Sequence, residues 1–253
     1  MSARVSGGMA ALGLLAAATL AHAAEIRVIS AGAVKSIVSG LAQAYEKETG
    51  NKVVIEFGPM GFVRQKLASE PADVVIMSDT VIEDTIAKGG VVSGSRTDIG
   101  RTGMGVGVRE GAPKPDISTV DVFKRALLEA KSIVYVDPAS GATSGTHFAS
   151  VLQKLGIAEA VKPKTRLVPG GYPAELVARG EVELVVHQIS EIVPVKGVTL
   201  VGPLPKEVQK LTIYSAGVAA KSTNAELARG FMAFLARPEF RAKFAEAGLD
   251  YKE

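Results

Sequence analysis

Short apolar runs, many of them rich in β-branched residues, alternate with amphipathic stretches along most of this chain. The runs predict strands at residues 26–30, 52–57 and 73–77, and again at 132–136, 166–168 and 183–187. The stretches between them predict helices, such as 33–48 with Ile37 and Leu41 on one face. Strands without period-two alternation are typical of parallel strands covered by helices on both faces. The sequence therefore predicts an α/β protein, most simply with two sheets.

Two segments are typical of passages between lobes. Residues 100–110 are rich in glycine yet contain strand-forming residues, and residues 211–219 are a second apolar run. A chain that passes into a second lobe near Gly105 and returns near Ser215 would build the first lobe from both of its ends. The alternative is a single continuous sheet. The predicted units are a first lobe of residues 24–105 plus 215–253 and a second lobe of residues 106–214.

The first 23 residues have the layout of a secretory signal peptide. Arg4 precedes an apolar run at 9–20, and Ala21-His22-Ala23 follows with small residues at both ends. The run is shorter than the ~20 residues that a membrane-spanning helix needs. The chain has no cysteine, which excludes a lipid-anchored precursor and disulfides. We therefore expect cleavage after Ala23 and a periplasmic protein that is not membrane-anchored.

Charge and composition exclude several other functions. The formal net charge is +3 and falls to +2 without Arg4, and no Lys/Arg-rich block suggests a nucleic-acid surface. With three histidines, one of them His22 in the leader, and no cysteine, a His/Cys metal cluster is not expected. Phosphate-loop and nucleophile-elbow motifs do not occur, so we expect no cofactor. A monomer is the predicted state.

The loops that follow the predicted strands contain small residues and hydroxyls. In parallel sheets, ligands bind beyond the carboxyl ends of the strands, where helix N-termini attract negative charge. The loops therefore predict a small anionic ligand, although serine and threonine also cap helices without touching one. Lys35 and Arg64 are the cations nearest to these loops in sequence. The candidate binding residues are Ala31, Gly32, Ala33, Met60, Gly61, Ser140, Thr143, Ser144, Gly145, Gly171, Tyr172, His187, Gln188 and Ser190.

Five segments carry a resemblance to a known family. They read VISAGAVKSIVSGLAQAYEKETG, PADVVIMSD, DPASG, GEVELVVHQISEI and FMAFLARPEFRAKFAEAG. In these the chain resembles the molybdate-binding proteins of ABC importers, within the type II periplasmic binding proteins. The resemblance implies two α/β lobes, joined by hinge strands, that close a cleft over a small anion. It also implies an ABC permease as partner.

Three positions differ from the pattern that the resemblance implies. Alanine stands at Ala33 and Pro-Met-Gly at 59–61, where molybdate binders typically carry serines, and His187 replaces a tyrosine. Each missing donor to a buried charged oxygen costs ~1–3 kcal/mol. The sequence therefore predicts that molybdate binds poorly and that an organic polycarboxylate binds better.

Two functions remain open at this stage. The first is the solute receptor of an ABC importer for a small anion. The alternative is suggested by DPASG and QISEI, which resemble a subgroup that includes bacterial aconitate isomerase, a periplasmic enzyme that interconverts trans- and cis-aconitate. In an isomerase His187 would be catalytic, because an imidazole with a pKa near ~6.5 exchanges protons near neutral pH. Glu191, Tyr172 and His147 are the other candidates for moving a proton.

Overall fold

The computed structural model describes residues 23–249, so the predicted signal peptide lies outside the described residues except for Ala23. The strands are β1 (Glu25–Ala31), β2 (Lys52–Gly58), β3 (Val74–Ser78), β4 (Thr97–Thr102), β5 (Met104–Arg109), β6 (Ile133–Val136), β7 (Thr165–Val168), β8 (Leu184–Gln188), β9 (Val198–Pro203) and β10 (Thr212–Val218). The helices are α1 (Lys35–Thr49), α2 (Met60–Ser69), α3 (Asp79–Ala87), α4 (Val120–Glu129), α5 (Thr143–Lys154), α6 (Ala158–Val161), α7 (Ala174–Ala178), α8 (Ile189–Ile192), α9 (Ala225–Leu235) and α10 (Arg241–Glu246).

The strands form two five-stranded sheets with the same layout. The first has the order β2-β1-β3-β10-β4 and the second the order β7-β6-β8-β5-β9. In each sheet three strands are parallel, and the fourth is antiparallel to both of its neighbours. The α/β class and the two sheets are thus confirmed, and both sheets are mixed. The antiparallel strands β10 and β5 enter from the other sheet, which is why they run against their neighbours.

The chain crosses between the sheets twice. It leaves the first sheet on β4 and enters the second on β5 with Gly103 between them; it leaves on β9 and returns on β10. The amide of Gln209 ties the two crossings together: its Oε1 accepts from the Met104 N–H at 2.7 Å and its Nε2 donates to the Met104 carbonyl at 2.8 Å. The lobe boundaries near Gly105 and Ser215 stay a prediction.

Each sheet is buried under its own helices. On the first sheet α1 packs against α9, where the ring of Tyr45 meets the edges of Phe231 and Phe234 at centroid distances of 5.2 and 5.3 Å. α1 ends at Gly50, whose φ of 74° is the left-handed conformation that glycine adopts most readily. A separate buried cluster around Phe123 and Phe148 covers the second sheet. The cleft between the sheets therefore borders two independent cores.

The predicted strands and helices are found within a few residues of their expected bounds. Four elements were not predicted: the helices α4, α6 and α8 and the edge strand β9. The residues of β9 are mostly half-buried, so its sequence lacks the strong apolar run of a central strand. Among residues 23–249, no helix has the length and apolar character needed to cross a membrane.

Candidate functional site

A cavity of about 90 Å³ lies between the two sheets, where the loops after β1, β2, β6, β7 and β8 meet. One water molecule needs ~10–15 Å³ of such space, so the cavity has room for a small solute. We call its two sides walls. The first wall consists of Ala31, Gly32, Ala33, Lys35, Phe57, Gly58, Pro59, Met60 and Tyr214. The second wall consists of Val136, Ala142, Thr143, Ser144, Gly170, Gly171, Tyr172, His187, Gln188 and Glu191.

A larger groove of about 540 Å³ lies beside α2 and α3. Three of its charged side chains are engaged in ion pairs, Lys88 with Asp84 and Glu70 with Lys66, each at 2.7 Å. None of the candidate binding residues lines it. The cavity between the walls is therefore the better candidate site.

Helix N-termini open onto this cavity without side-chain caps. The 3-10 turn Gly32–Val34 that leads into α1, the helix α2 and the helix α5 have Ala31, Pro59 and Ala142 at their N-cap positions, and none of these caps by its side chain. Most other α-helices of residues 23–249 also lack a side-chain cap, whereas α4, away from the cavity, is capped by Thr119, whose Oγ1 accepts from Val122 N–H at 3.4 Å. The first N–H groups of a helix have no partner within the helix. At the cavity these groups are available to an anion.

The second wall contains a buried acid–base pair. His187 is the second-last residue of β8 and Glu191 lies four residues further on, in α8; the two residues are 1% and 7% exposed. His187 Nε2 lies 3.4 Å from Glu191 Oε2. Among the described residues neither ring nitrogen of His187 has a partner with good hydrogen-bond geometry, and the Gly171 backbone gives it only weak support. An unpaired buried imidazole is costly, so these nitrogens are suited to meeting a ligand.

Burial sets the protonation of this pair. It lowers the pKa of His187 to about 4, an effect that the nearby Gly171 backbone partly opposes. Burial also raises the pKa of Glu191 to about 8. At pH 7 the pair is therefore a neutral imidazole beside a protonated carboxyl group rather than a salt bridge. A base and an acid stand side by side in one cavity.

Glu191 reaches across to the first wall. A Cβ placed on Gly32 would come within 3.1 Å of Glu191 Oε1, so glycine leaves the space that this carboxyl group needs. The carboxyl group is thereby held against the uncapped turn that leads into α1.

A second contact across the cavity joins Gln188 and Tyr214. Gln188 Nε2 lies 2.7 Å from the Tyr214 hydroxyl, which in turn lies 2.9 Å from Gln188 Oε1. Burial, together with the nearby Glu191, raises the pKa of Tyr214, so its hydroxyl stays protonated. This pair spans β8 and β10 and closes one side of the cavity with neutral hydrogen-bonding groups.

The structure brings ten of the fourteen candidate residues to the cavity. They are Ala31, Gly32, Ala33, Met60, Thr143, Ser144, Gly171, Tyr172, His187 and Gln188. Their part in binding stays a prediction.

The other four candidates do not line the cavity. Gly61 meets the carbonyl of Ser140 across the cleft, where an added Cβ would come within 2.5 Å. The Ser140 hydroxyl donates to the Asp137 carbonyl at 2.7 Å. Gly145 is pressed against the carbonyl of Val136, and Ser190 is fully buried beside Thr102. His147, the other histidine considered for proton transfer, is not part of either wall. Its Nε2 lies 2.8 Å from the Val208 carbonyl oxygen.

The binding candidates omitted Glu191, Lys35 and Tyr214. Glu191 was considered only for proton transfer, and it follows His187 across the junction of β8 and α8 rather than within one helix, so no helical spacing points to their contact. Tyr214 comes from an antiparallel strand, and no loop signal points to it. Among residues 23–249, no group of three His, Cys, Asp or Glu side chains is placed to hold a metal ion.

Comparisons with known proteins agree with this architecture. The family model for bacterial extracellular solute-binding proteins matches residues 26–250. The chain is 37% identical to the aconitate isomerase of a Pseudomonas species over 247 residues, which are 93% of each chain. It is 34% identical to the molybdate-binding protein ModA of Azotobacter vinelandii over 201 residues, 76% of this chain and 75% of that protein. The solved periplasmic molybdate-binding protein of Azotobacter vinelandii superposes with a TM-score of 0.71 at 20% identity, covering 90% of this chain and 100% of that one.

Proposed function

This chain belongs to the family of bacterial extracellular solute-binding proteins, and from that premise we propose that it is a periplasmic isomerase of a small polycarboxylate such as aconitate. The single observation that carries the proposal is the buried pair of His187 and Glu191 in the cavity. A receptor needs only hydrogen-bond donors there. An isomerase that moves a double bond needs a base to remove a proton from carbon and an acid to supply one.

The protonation states of the pair suit that task. His187 is neutral because burial lowers its pKa to about 4, so it is able to accept a proton at pH 7. Glu191 is protonated because burial raises its pKa to about 8, so it is able to donate one. A protonated carboxyl group also avoids repelling an anionic ligand. The uncapped ends of α1, α2 and α5 supply N–H groups for the ligand's carboxylates.

The proposed step conserves protons and electrons. His187 takes a proton from the methylene carbon beside the double bond, and the electron pair of that C–H bond forms the new double bond. The former π pair takes a proton from Glu191 at the far carbon. The imidazolium then returns a proton to the Glu191 carboxylate, 3.4 Å away in the free protein. The double bond has moved by one carbon, and the pair is restored.

The second candidate is the solute receptor of an ABC importer for the same kind of anion, partnered by a permease. The family and the two-sheet architecture favour it, and so does the 34% identity to a molybdate-binding protein. In that function His187 hydrogen-bonds the ligand without accepting its proton. Molybdate remains the weaker ligand, since Ala33 and Met60 bring no hydroxyl to the first wall.

Conversion of trans-aconitate separates the two functions. Purified wild-type protein is incubated with trans-aconitate, and cis-aconitate is measured by chromatography. We expect conversion by the wild type and none by His187→Gln, because glutamine hydrogen-bonds but does not shuttle protons at neutral pH. The value of kcat/KM should fall below pH ~4 and above pH ~8, where the pair loses its neutral form.

The matched control is His147→Gln, which changes a histidine outside the walls and should retain turnover. Binding of aconitate by the wild type without conversion would eliminate the isomerase for that substrate and leave the receptor.

A further inference from the structure

Lys35 is the one lysine or arginine that lines the cavity among the described residues. It is exposed to solvent and yet borders the cavity, so it stands where the cavity opens. Its ammonium group lies 5.3 Å from the ring centroid of Tyr172 on the opposite wall. Within ~6 Å an aromatic face attracts a cation, so this contact joins the two walls at the opening.

The position of Lys35 in its helix is unfavourable for folding. It is the first residue of α1, and the first turn contains no acidic side chain. A cation at a helix N-terminus is repelled by the positive end of the helix dipole. Lys47, in the last turn of the same helix, has the favourable location. Helix stability therefore gives no reason for a positive charge at residue 35.

The same location is favourable for an anion. Lys35 follows the uncapped turn Gly32–Val34 directly, so its charge adds to the free N–H groups and the helix dipole at the cavity. The second wall offers hydroxyl groups and the His187–Glu191 pair, which is neutral at pH 7. A ligand with a single charge is served by the helix ends alone, whereas a ligand with several charges needs a further cation.

We propose that Lys35, steadied by the ring of Tyr172, is the specificity-determining residue for ligands with more than one carboxylate. One carboxylate lies at the helix ends beside the His187–Glu191 pair, and another reaches the ammonium group at the opening. This assignment rests on the proposed function for the class of ligand, a polycarboxylate. It does not depend on whether the protein isomerises that ligand. It makes the protein selective for extended polycarboxylates over compact oxyanions.

Calorimetry with propane-1,2,3-tricarboxylate tests the assignment, because this ligand has no double bond and its binding does not depend on turnover. We expect Lys35→Gln to weaken binding about tenfold and Lys35→Arg to retain it, since a charge-assisted contact to carboxylate is lost in the first and kept in the second. Lys47→Gln is the matched control, with the same charge change on the same helix, and should alter binding less than ~twofold. Tyr172→Leu should weaken binding about twofold.

Thermal unfolding without ligand supplies a readout that a structural role would not produce. Lys35→Gln should unfold at a temperature no lower than the wild type, because it removes a cation from a helix N-terminus. Unchanged binding by Lys35→Gln, or an equal loss in Lys35→Arg, would overturn the assignment and leave the proposed function in place. Tricarboxylate binding by a wild type that does not isomerise aconitate would end the isomerase and keep the role of Lys35. If the wild type does not bind the tricarboxylate, the assignment of Lys35 is overturned, whereas conversion of trans-aconitate still decides the proposed function.

Discussion

The two walls of the cavity differ in what they offer a ligand. The first wall consists mainly of alanine, glycine, proline and methionine, so it presents backbone N–H groups of the turn Gly32–Val34 and of α2. The second wall contains the titratable pair of His187 and Glu191 along with the hydroxyls of Thr143 and Ser144. One wall is thus suited to holding an anion, and the other is suited to changing it.

This difference explains how a binding-protein scaffold accommodates proton transfer. Backbone donors bind an anion without any particular side chain, so the first wall tolerates the loss of hydroxyl groups. The second wall is then free to bury groups whose pKa values are pushed apart, which is the usual preparation of a general acid and a general base. Substitutions of the His187–Glu191 pair should therefore affect turnover more than affinity, and those on the first wall should affect affinity.

After the loss of turnover in His187→Gln, the largest effect is expected from Glu191→Gln. Turnover of aconitate should fall ~100- to 10,000-fold, because the amide has no acidic proton to give. Affinity for propane-1,2,3-tricarboxylate should stay within a few-fold of the wild type, since the amide has nearly the same shape. Steady-state kinetics and calorimetry measure the two quantities.

The control for that experiment is Glu175→Gln, an exposed carboxyl group on α7 whose charge also acts on Tyr172. Unchanged turnover in Glu191→Gln would remove the chemical role of the second wall.

Glu191→Gln should also be more stable than the wild type at high pH. Burial raises the pKa of Glu191 from 4.5 to about 8, so between these values the unfolded chain has lost a proton that the folded protein keeps. Stability therefore falls as pH rises through this window, and the loss is complete above pH 8. Glutamine has no such loss and should raise the free energy of unfolding at pH 8.5 by several kcal/mol, since each unit of pKa shift corresponds to about 1.4 kcal/mol.

Urea unfolding at pH 8.5 and pH 4.5 measures this gain, which should shrink at the lower pH. Equal stability of the two proteins at pH 8.5 would show that the carboxyl group is not held protonated by burial.

Gly61→Ala tests the contact that brings the walls together. Its new Cβ would lie 2.5 Å from the Ser140 carbonyl, closer than such contacts allow, so the walls must move apart. Affinity for the tricarboxylate should fall about tenfold, measured by calorimetry. Gly40→Ala on α1, where nothing lies within 4 Å of an added Cβ, should leave affinity unchanged. Full affinity in Gly61→Ala would mean that binding does not need this closed contact.

The smallest effect is expected at a helix end away from both walls. Thr119→Ala removes the cap of α4 and should lower the free energy of unfolding by about 1 kcal/mol. Ligand affinity should not change, because this helix end is satisfied by its own side chain rather than by a ligand. A change in affinity would contradict the view that the helix ends at the cavity bind the ligand and that the capped end of α4 does not.

The sequence predicted most of the fold and much of the cavity. Loops at the carboxyl ends of β6 and β8 were expected to meet because parallel strands present these ends at one edge of a sheet. The loop after β1 was expected to face them because the family resemblance implies two lobes around one cleft. In the structure, however, the predicted binding residues Gly145 and Ser190 do not line the cavity. Each lies beside a wall residue in sequence, but neighbours on a helical turn point in different directions.

Glu191 and Tyr214 could not be assigned to the walls from sequence for a different reason. Nothing local marks Glu191 as buried; it is enclosed because Gly32 of the opposite wall leaves space for its carboxyl group. Tyr214 lies on a strand that the first sheet receives from the far end of the chain. The positions of both side chains depend on contacts between segments that are distant in sequence, and local sequence patterns do not predict such contacts.

The insertion of β10 between β3 and β4 imposes an order on how the molecule is assembled. The second sheet draws only on residues 104–203, whereas the first must wait for a strand that ends at Val218. Pairings distant in sequence form slowly, because a long loop must close before any contact rewards it. We therefore expect amides of residues 104–203 to gain protection first in pulsed hydrogen exchange. Until β10 pairs with it, β3 has an unpaired edge. Unpaired strand edges of a newly synthesised chain are prone to aggregation.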